Sequence, residues 1–464
     1  MKLCVIGGAG ARSAFLTKSL VKSAREIRVD HIVLLDNNEE HLRTYGQISK
    51  ELARRMEPSL TFDITSDARG ALTGADYIIT TIRAGGDAGR LFDEKTCLAH
   101  GVLGQETTGA GGFAMAIRSV PTLVYYCTLA REVSNPGHLI FNFTNPSGII
   151  TQALRSCGFA NVYGICDAPS GFIKQLEEIL NVPYGALDIE CYGLNHLSWF
   201  RNAKLDGRDV QEELLNNPRT YQHSEMRLFT REMARLSGEC MLNEYLYFYY
   251  RREKSLSMVQ KAEHPRGEMI YLINRELETQ LAQMELPRDF EKAFNLYMNA
   301  YGKRENAYFS VESGARREKV WNPPTVEEFL AEPDEGGYAA VALRFIRAIT
   351  DGEDCRMVLS VPNEGAIDGL EDDDVVEITC DIHSDGAHPI HIGGIDEFQL
   401  QQIKRLKYFE RCTIQAILHD DRDSAVKGLA LHPLVNDFEL AETLSGIFFK
   451  EYASFIHMNE APGQ

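Results

Sequence analysis

The chain has 464 residues, 44% of them hydrophobic and 25% charged, the proportions of a soluble globular protein large enough for two joined domains. A formal net charge of −19 argues against nucleic acid or an anionic membrane as partner, while leaving room for a small anionic ligand in a local basic pocket. Ten cysteines without a CxxC pair predict free thiols in a reducing cytoplasm, and neither a leader segment nor an apolar run approaching about 18–20 residues is visible.

The apolar run Leu3 to Ile6 stops at Gly7, Gly8 and Gly10, and a helix-compatible segment follows from Ala11. Strand, glycine turn and helix in that order suit a dinucleotide. The glycines admit its pyrophosphate to the backbone, and the helix start offers unpaired N–H groups. The turn departs from G-x-G-x-x-G in having Ser13 at the last position. A second strand, His31 to Leu35, ends in Asp36, an acid placed to bind ribose hydroxyls and to select NAD over NADP. Further short apolar runs at Phe62–Ile64, Tyr77–Thr81, Leu139–Phe143 and Val162–Ile165 alternate with helical stretches such as Glu40–Arg55 and Ala114–Val133. The pattern predicts an α/β fold, a Rossmann-like doubly wound sheet with ligands at the carboxyl ends of its strands. From about Asp206 to Tyr308 the sequence is helix-rich, strand-like runs return at Met357–Ser360 and Val375–Thr379, and Gln399–His419 and Phe438–Phe455 read as amphipathic helices. The predicted division is a Rossmann domain over 1–200 and a mostly helical α+β domain over 201–464, intimately packed on it. The polar stretch Arg316–Gly337 is the predicted mobile loop.

Polar clusters fall at the predicted strand ends. Arg83 and Arg90 flank a Gly-Gly turn in TIRAGGDAGRLFDE, two cations suited to phosphate, sulfonate or carboxylate, or to surface pairing with Asp87, Asp93 and Glu94. Gln105 and Glu106 lie in the glycine- and hydroxyl-rich loop GQETTGAGG. Asn142 and Asn145 in NFTNPS offer amides to a nicotinamide or to sugar hydroxyls. Cys166 and Asp167 follow the strand at Val162, and His196 closes GLNH thirty residues on. One cysteine and one histidine at two strand ends would suit an open catalytic metal site. The run NEYLYFYY carries Tyr245, Tyr247 and Tyr249, and one tyrosine becomes a general base if a cation lowers its pKa from about 10. His383, His388 and His391 invite a second metal reading but are expected to sit in a loop.

The ordered series GGAGARS, IRAGGDAGRLFDE, GQETTGAGG, NFTNP, CDAP, GLNH, EYLYFYY, VPNEGAI and HPLV resembles glycoside hydrolase family 4, the NAD- and divalent-metal-dependent glycosidases, over nearly the whole chain. The resemblance implies that Cys166 and His196 ligate Mn²⁺ and that Tyr245 is the base, with Tyr247 and Tyr249 still open. It makes Asp167 or Glu106 the acid, Asn145 and Asn195 ligands of the sugar, and Arg90, with Arg12, Ser13 and Arg83, the grip on a charged 6-substituent. It also implies a homodimer or homotetramer. The implied reaction differs from two-carboxylate hydrolysis: NAD⁺ takes hydride from sugar C3, the C2 proton is removed by tyrosinate, the aglycone leaves C1, water adds, and hydride returns.

Three departures bear on the substrate. The family's GGGS serine is replaced within GGAGARS, its Lys-Arg-Gly-Gly motif appears as the acidic stretch beginning at Asp334, and Cys166-Asp167 resembles the phospho-α-glucosidase branch while QETTG leans to the β branch. The expected substrate is a 6-phospho-β-glucoside or another 6-anionic glycoside, such as a sulfoquinovoside or uronide of either anomer. The competing class is an NAD-dependent hydroxy-acid dehydrogenase.

Overall fold

The computed structural model describes residues 1–286, 288–314, 320–333 and 339–456. Strands β1 (Lys2–Ile6), β2 (His31–Leu35), β3 (Thr61–Thr65), β4 (Tyr77–Thr80), β5 (Leu139–Asn142) and β6 (Val162–Gly164) are parallel and ordered β3-β2-β1-β4-β5-β6. Their apolar runs suit strands covered on both faces by helices. The strand order reverses between β1 and β4, which opens a crevice at their carboxyl ends.

Helices follow the strands as the alternation predicted: α1 (Ser13–Ser23) after β1, α2 (Gly86–Ala99) and α3 (Gly109–Val133) after β4, α4 (Ser147–Ser156) after β5 and α5 (Asp167–Leu180) after β6. Helix α3 starts five residues before its predicted beginning at Ala114, because Gly111 and Gly112 are packing glycines rather than turn glycines. A Cβ on Gly111 would lie 2.4 Å from the Gln105 carbonyl oxygen. By length and composition α3 is apolar enough to cross a bilayer, contrary to the sequence reading, yet 72% of its apolar window is buried in the protein, as in a core helix.

Strands β7 (Leu187–Leu194), β8 (Leu197–Leu205), β9 (Arg208–Asp209) and β10 (Met241–Leu242) form a separate antiparallel sheet. Helices α6 (Leu246–Tyr250), α7 (Arg266–Leu281) and α8 (Phe290–Asn306) follow. Then β11 (Cys355–Pro362), β12 (Val375–His383) and β13 (Gly386–Pro389) return to the first sheet and extend it antiparallel beyond β6, with Ser360 opposite Gly164. Residue 200 therefore falls inside β8, and the two predicted parts share one sheet and one hydrophobic core that runs from Leu3 to Leu434. Helices α9 (Glu397–His419) and α10 (Phe438–Glu451) pack near the predicted positions. In the predicted loop Arg316–Gly337, residues 316–319 and 334–337 lie outside the described residues, as does the acidic stretch from Asp334 to Tyr338. The part between carries a short helix, Val326–Ala331, closed by a Thr325–Glu328 capping box.

Candidate active site

A cavity of about 810 Å³ opens over the carboxyl ends of β1, β2 and β4 to β6 and is covered by α7, α8 and the segment entering α6. Gly7, Gly8, Gly10, Arg12, Ser13, Asp36, Arg83, Arg90, Glu106, Asn145, Cys166, Asp167, His196 and Tyr245 all line it, so most of the predicted site is brought together.

At one end lies the glycine turn. Gly7 takes φ +80°, and the Gly7 and Gly8 amides both donate to the Leu35 carbonyl at 2.8 and 3.1 Å. A Cβ on Gly8 would come within 2.8 Å of the Leu34 side chain, whereas one on Gly10 would meet nothing closer than 3.8 Å. Gly8 is thus required by packing, and Gly10 leaves open the floor of the cavity. Asp36 accepts from the Ala9 amide (3.3 Å) and the Asn38 amide (3.0 Å), and burial raises its pKa. Gly10→Ala is expected to keep native stability while weakening NAD binding, whereas Gly8→Ala should cost about 1–3 kcal/mol of stability. Thermal unfolding and cofactor titration of the two variants check this.

Two predicted site residues do not line the cavity. Asn142 is fully buried: its Oδ1 accepts from the Thr80 hydroxyl (2.9 Å) and the Thr144 amide (3.2 Å), and its Nδ2 donates to Thr151 Oγ1 (3.1 Å). It is spent on holding strand ends together, not on a nicotinamide. Asn195 turns away from the cavity and donates to Glu377 Oε2 at 2.8 Å.

Deeper in the cavity, Cys166 sits in extended backbone at the start of α5, and His196 occupies the β7–β8 turn with φ +63°. The Tyr245 ring stacks on the His196 ring, with centroids 3.8 Å apart and planes 27° from parallel. Tyr245 precedes helix α6 rather than lying on it, and neither Tyr247 nor Tyr249 lines the cavity; the Tyr249 hydroxyl is bonded to Thr108. Burial holds the His196 imidazole down at about 4, so it is neutral at neutral pH, and its buried Nδ1 has no hydrogen-bond partner among the described residues. Burial, Glu377 and Asp167 push the Cys166 thiol well up. An orphaned imidazole nitrogen and a thiol lacking a compensating cation fit a divalent metal. No group of three His, Cys, Asp or Glu able to hold a metal occurs among the described residues. The fit is therefore to an open site whose remaining ligands are substrate or water oxygens. His383 and His388 stand on β12 and β13 rather than in the expected loop, exposed and paired with Asp354 and Asp385, each at 2.9 Å.

The charges divide into matched and unmatched groups. Glu106 is clasped by Arg83 and Arg90, each at 3.3 Å, and Arg83 also pairs with Asp87. Burial opposes ionisation of Glu106, but the two guanidiniums hold its carboxyl at about 2. It is held ionised in this arrangement, its oxygens spent on the two guanidiniums, whereas Asp167, the other candidate acid, is half-exposed and 3.8 Å from Arg12. Two further arginines line the cavity that the sequence reading did not select, Arg266 at the start of α7 and Arg304 near the end of α8. Neither has a carboxylate partner among the described residues. Arg266 donates to the Arg304 carbonyl (2.8 Å), and Arg304 donates to Asn274 Oδ1 (3.3 Å). Burial and the nearby Arg12 and Arg83 bring Arg304 down to about 10. Only the neighbourhood Pro265–Gly267 hinted at Arg266, and nothing in its own sequence separates Arg304 from Lys303.

The loop bearing Gln105 and Glu106 is clamped from behind by the buried His432 of the HPLV segment, whose Nε2 accepts from the Gly109 amide at 3.2 Å.

The profile of the family 4 glycosyl hydrolases matches residues 2–182, and that of their C-terminal domain matches residues 191–435. The 6-phospho-beta-glucosidase of Thermotoga maritima is 29% identical over 451 residues, which cover 96% of each chain. The phospho-alpha-glucosidase of Clostridium acetobutylicum is 26% identical, over 95% of each chain. Among solved structures, the Thermotoga maritima enzyme with manganese, NAD⁺ and glucose-6-phosphate superposes with a TM-score of 0.79 at 28% identity, covering 98% of this chain and 99% of that one. With both profiles placed end to end across a Rossmann-like sheet and its packed α+β partner, the chain belongs to the family 4 glycosyl hydrolases.

Proposed function

We propose that the chain is an NAD⁺- and Mn²⁺-dependent glycosidase acting on a 6-phosphoglycoside. The observation that carries the reading is the stack of Tyr245 on His196, with the imidazole Nδ1 unpartnered, in the same cavity as Cys166 and the Gly7–Gly10 turn. The relatives are glucosidases of phosphorylated sugars, which favours this reading over a hydroxy-acid dehydrogenase. When bound, NAD⁺ would supply reversible hydride acceptance at sugar C3, and the divalent cation would supply Lewis acidity beside that carbon.

The chain's own residues do the rest. Gly10 and Asp36 hold the cofactor's pyrophosphate and ribose. Cys166 and His196 hold the metal. Tyr245, as phenolate, takes the C2 proton, and Asp167 is the cavity carboxyl group that assists departure of the C1 oxygen. Asn145 bonds sugar hydroxyls. The guanidiniums of Arg266 and Arg304, which have no carboxylate partner among the described residues, attract the 6-phosphate, while Arg83 and Arg90 hold Glu106 ionised next to them.

We place the enzyme in a reducing cytoplasm, a reading supported by its ten free cysteines, and as a homodimer or homotetramer, the state implied by the family resemblance. A panel of 6-phospho, 6-sulfo, uronic and neutral α- and β-glycosides, assayed with catalytic NAD⁺ and Mn²⁺, tests the function. Aglycone release from a 6-phosphoglycoside without net NADH is the expected result. Stoichiometric NADH with no aglycone would restore the dehydrogenase reading, and cleavage confined to sulfo or uronic substrates would move the specificity.

A further inference from the structure

Glu377, on β12, is a carboxylate 2% exposed with no cation partner among the described residues. Its two oxygens each accept one neutral hydrogen bond, Oε2 from Asn195 Nδ2 at 2.8 Å and Oε1 from Ser198 Oγ at 2.9 Å. These donors lie on either side of His196 and belong to the two-residue turn and the first residues of β8, where His196 adopts its left-handed backbone. The sheet register brings the same residue toward the other candidate ligand. Glu377 is opposite Ser360, and Ser360 is opposite Gly164, two residues before Cys166. A buried carboxylate sustained only by neutral donors is costly unless a positive charge is supplied nearby.

We propose that Glu377 is a positioning residue of the metal site: its carboxylate fixes the turn that presents His196 and offsets the charge of the cation held by Cys166 and His196. This rests on the metal reading above. Two residues along the same strand, Thr379 also ties β12 to the hairpin, its Oγ1 accepting from the Cys191 amide at 2.8 Å. It shares the packing role and lacks the charge and the link to the His196 turn, so it separates a metal role from a merely structural one.

The test titrates Mn²⁺ into the full-length, NAD⁺-loaded chain and reads free Mn²⁺ by electron paramagnetic resonance, with NAD⁺ affinity and thermal unfolding measured in parallel. Glu377→Gln, which keeps the shape and removes the charge, is expected to weaken Mn²⁺ binding about 10- to 100-fold with NAD⁺ affinity within about twofold. Thr379→Val should leave Mn²⁺ affinity within about twofold of wild type. Unchanged Mn²⁺ affinity in Glu377→Gln, or an equal loss in Thr379→Val, overturns the proposal while leaving the metal reading intact. A wild-type chain that binds no Mn²⁺ overturns both. If Glu377→Gln does not fold, Ser198→Ala, which removes one of the two donors, should weaken Mn²⁺ about 3- to 10-fold, and no change there overturns the role of Glu377.

Discussion

Replacing Tyr245 with phenylalanine is expected to lower kcat by about 10²- to 10⁴-fold, the scale of a lost general base, while NAD⁺ affinity stays within about twofold. The substitution removes one hydroxyl and keeps the ring, so the stack on His196 and the edge contacts with Phe248 and Phe309 persist. Cofactor binding is insulated because the glycine turn lies at the other end of the cavity. Without a metal, burial together with Glu106 and Glu244 pushes the phenol above its ordinary value, and Arg90 and the nearby Tyr308, whose hydroxyl donates to Glu244 at 3.3 Å, offset this only in part. The phenolate therefore depends on the adjoining cation. The acid limb of the wild-type rate profile should rise with pH as the phenolate forms, and it should move to lower pH as Mn²⁺ is raised. In D₂O the wild type should place deuterium at C2 of the product, and Tyr245→Phe should lose that label together with turnover. Steady-state kinetics and product NMR read both. Activity within about tenfold of wild type, with C2 still labelled, would return the base role to another residue. Tyr249→Phe is the useful contrast, because that hydroxyl is engaged with Thr108 behind the GQETTG loop.

What the sequence made legible follows the range over which its signals act. Strands β1, β2 and β4 to β6 were readable because each is a short apolar run cut off by glycine, proline or charge, a purely local pattern. Asp36 was readable because a fixed strand–turn–helix–strand unit sets its place. Cys166, His196 and Tyr245, spread over eighty residues, converge because each stands at or beside an element end facing the same crevice. Side-chain direction at such ends was not legible. Asn142 ends its strand as the motif required, but it points back among Thr80, Thr144 and Thr151, where burial demands that all of its polar atoms be satisfied. Asn195 and His196 are neighbours in a two-residue turn and project to opposite sides, one to Glu377 and the other into the cavity. The return of β11 to β13 to the first sheet also escaped, since an antiparallel edge pairing across two hundred residues leaves no local trace. Arg266 and Arg304 escaped for the same reason: they are singled out by lining the cavity with no carboxylate partner among the described residues, and composition cannot show that.

Cys166→Ser is expected to abolish Mn²⁺ dependence together with activity, lowering kcat/KM by about 10²-fold or more, the equivalent of the several kcal/mol that a Lewis acid contributes to the transition state. Stability should change little. The Ala168 amide next to the thiol can equally be met by a serine hydroxyl, and serine fits the same extended position at the start of α5, where hydroxyl residues are favoured. NAD⁺ should still bind, since Gly7 to Gly10 and Asp36 are untouched. The two candidate ligands differ in one measurable respect. His196 is already neutral at neutral pH, held at about 4 by burial, so it has no proton to give up. The Cys166 thiol is held protonated by burial and by the fields of Glu377 and Asp167, and it becomes a ligand only by losing that proton. Mn²⁺ binding to the wild type should therefore release about one proton, and binding to Cys166→Ser should release none. Calorimetric titration in two buffers of different ionisation enthalpy counts that proton directly. Full activity in Cys166→Ser, or Mn²⁺ binding to the wild type without proton release, would place the metal on other atoms. A released proton would instead mean that cation binding and thiolate formation are coupled, the cation removing the cost of a negative charge that burial beside Glu377 and Asp167 disfavours.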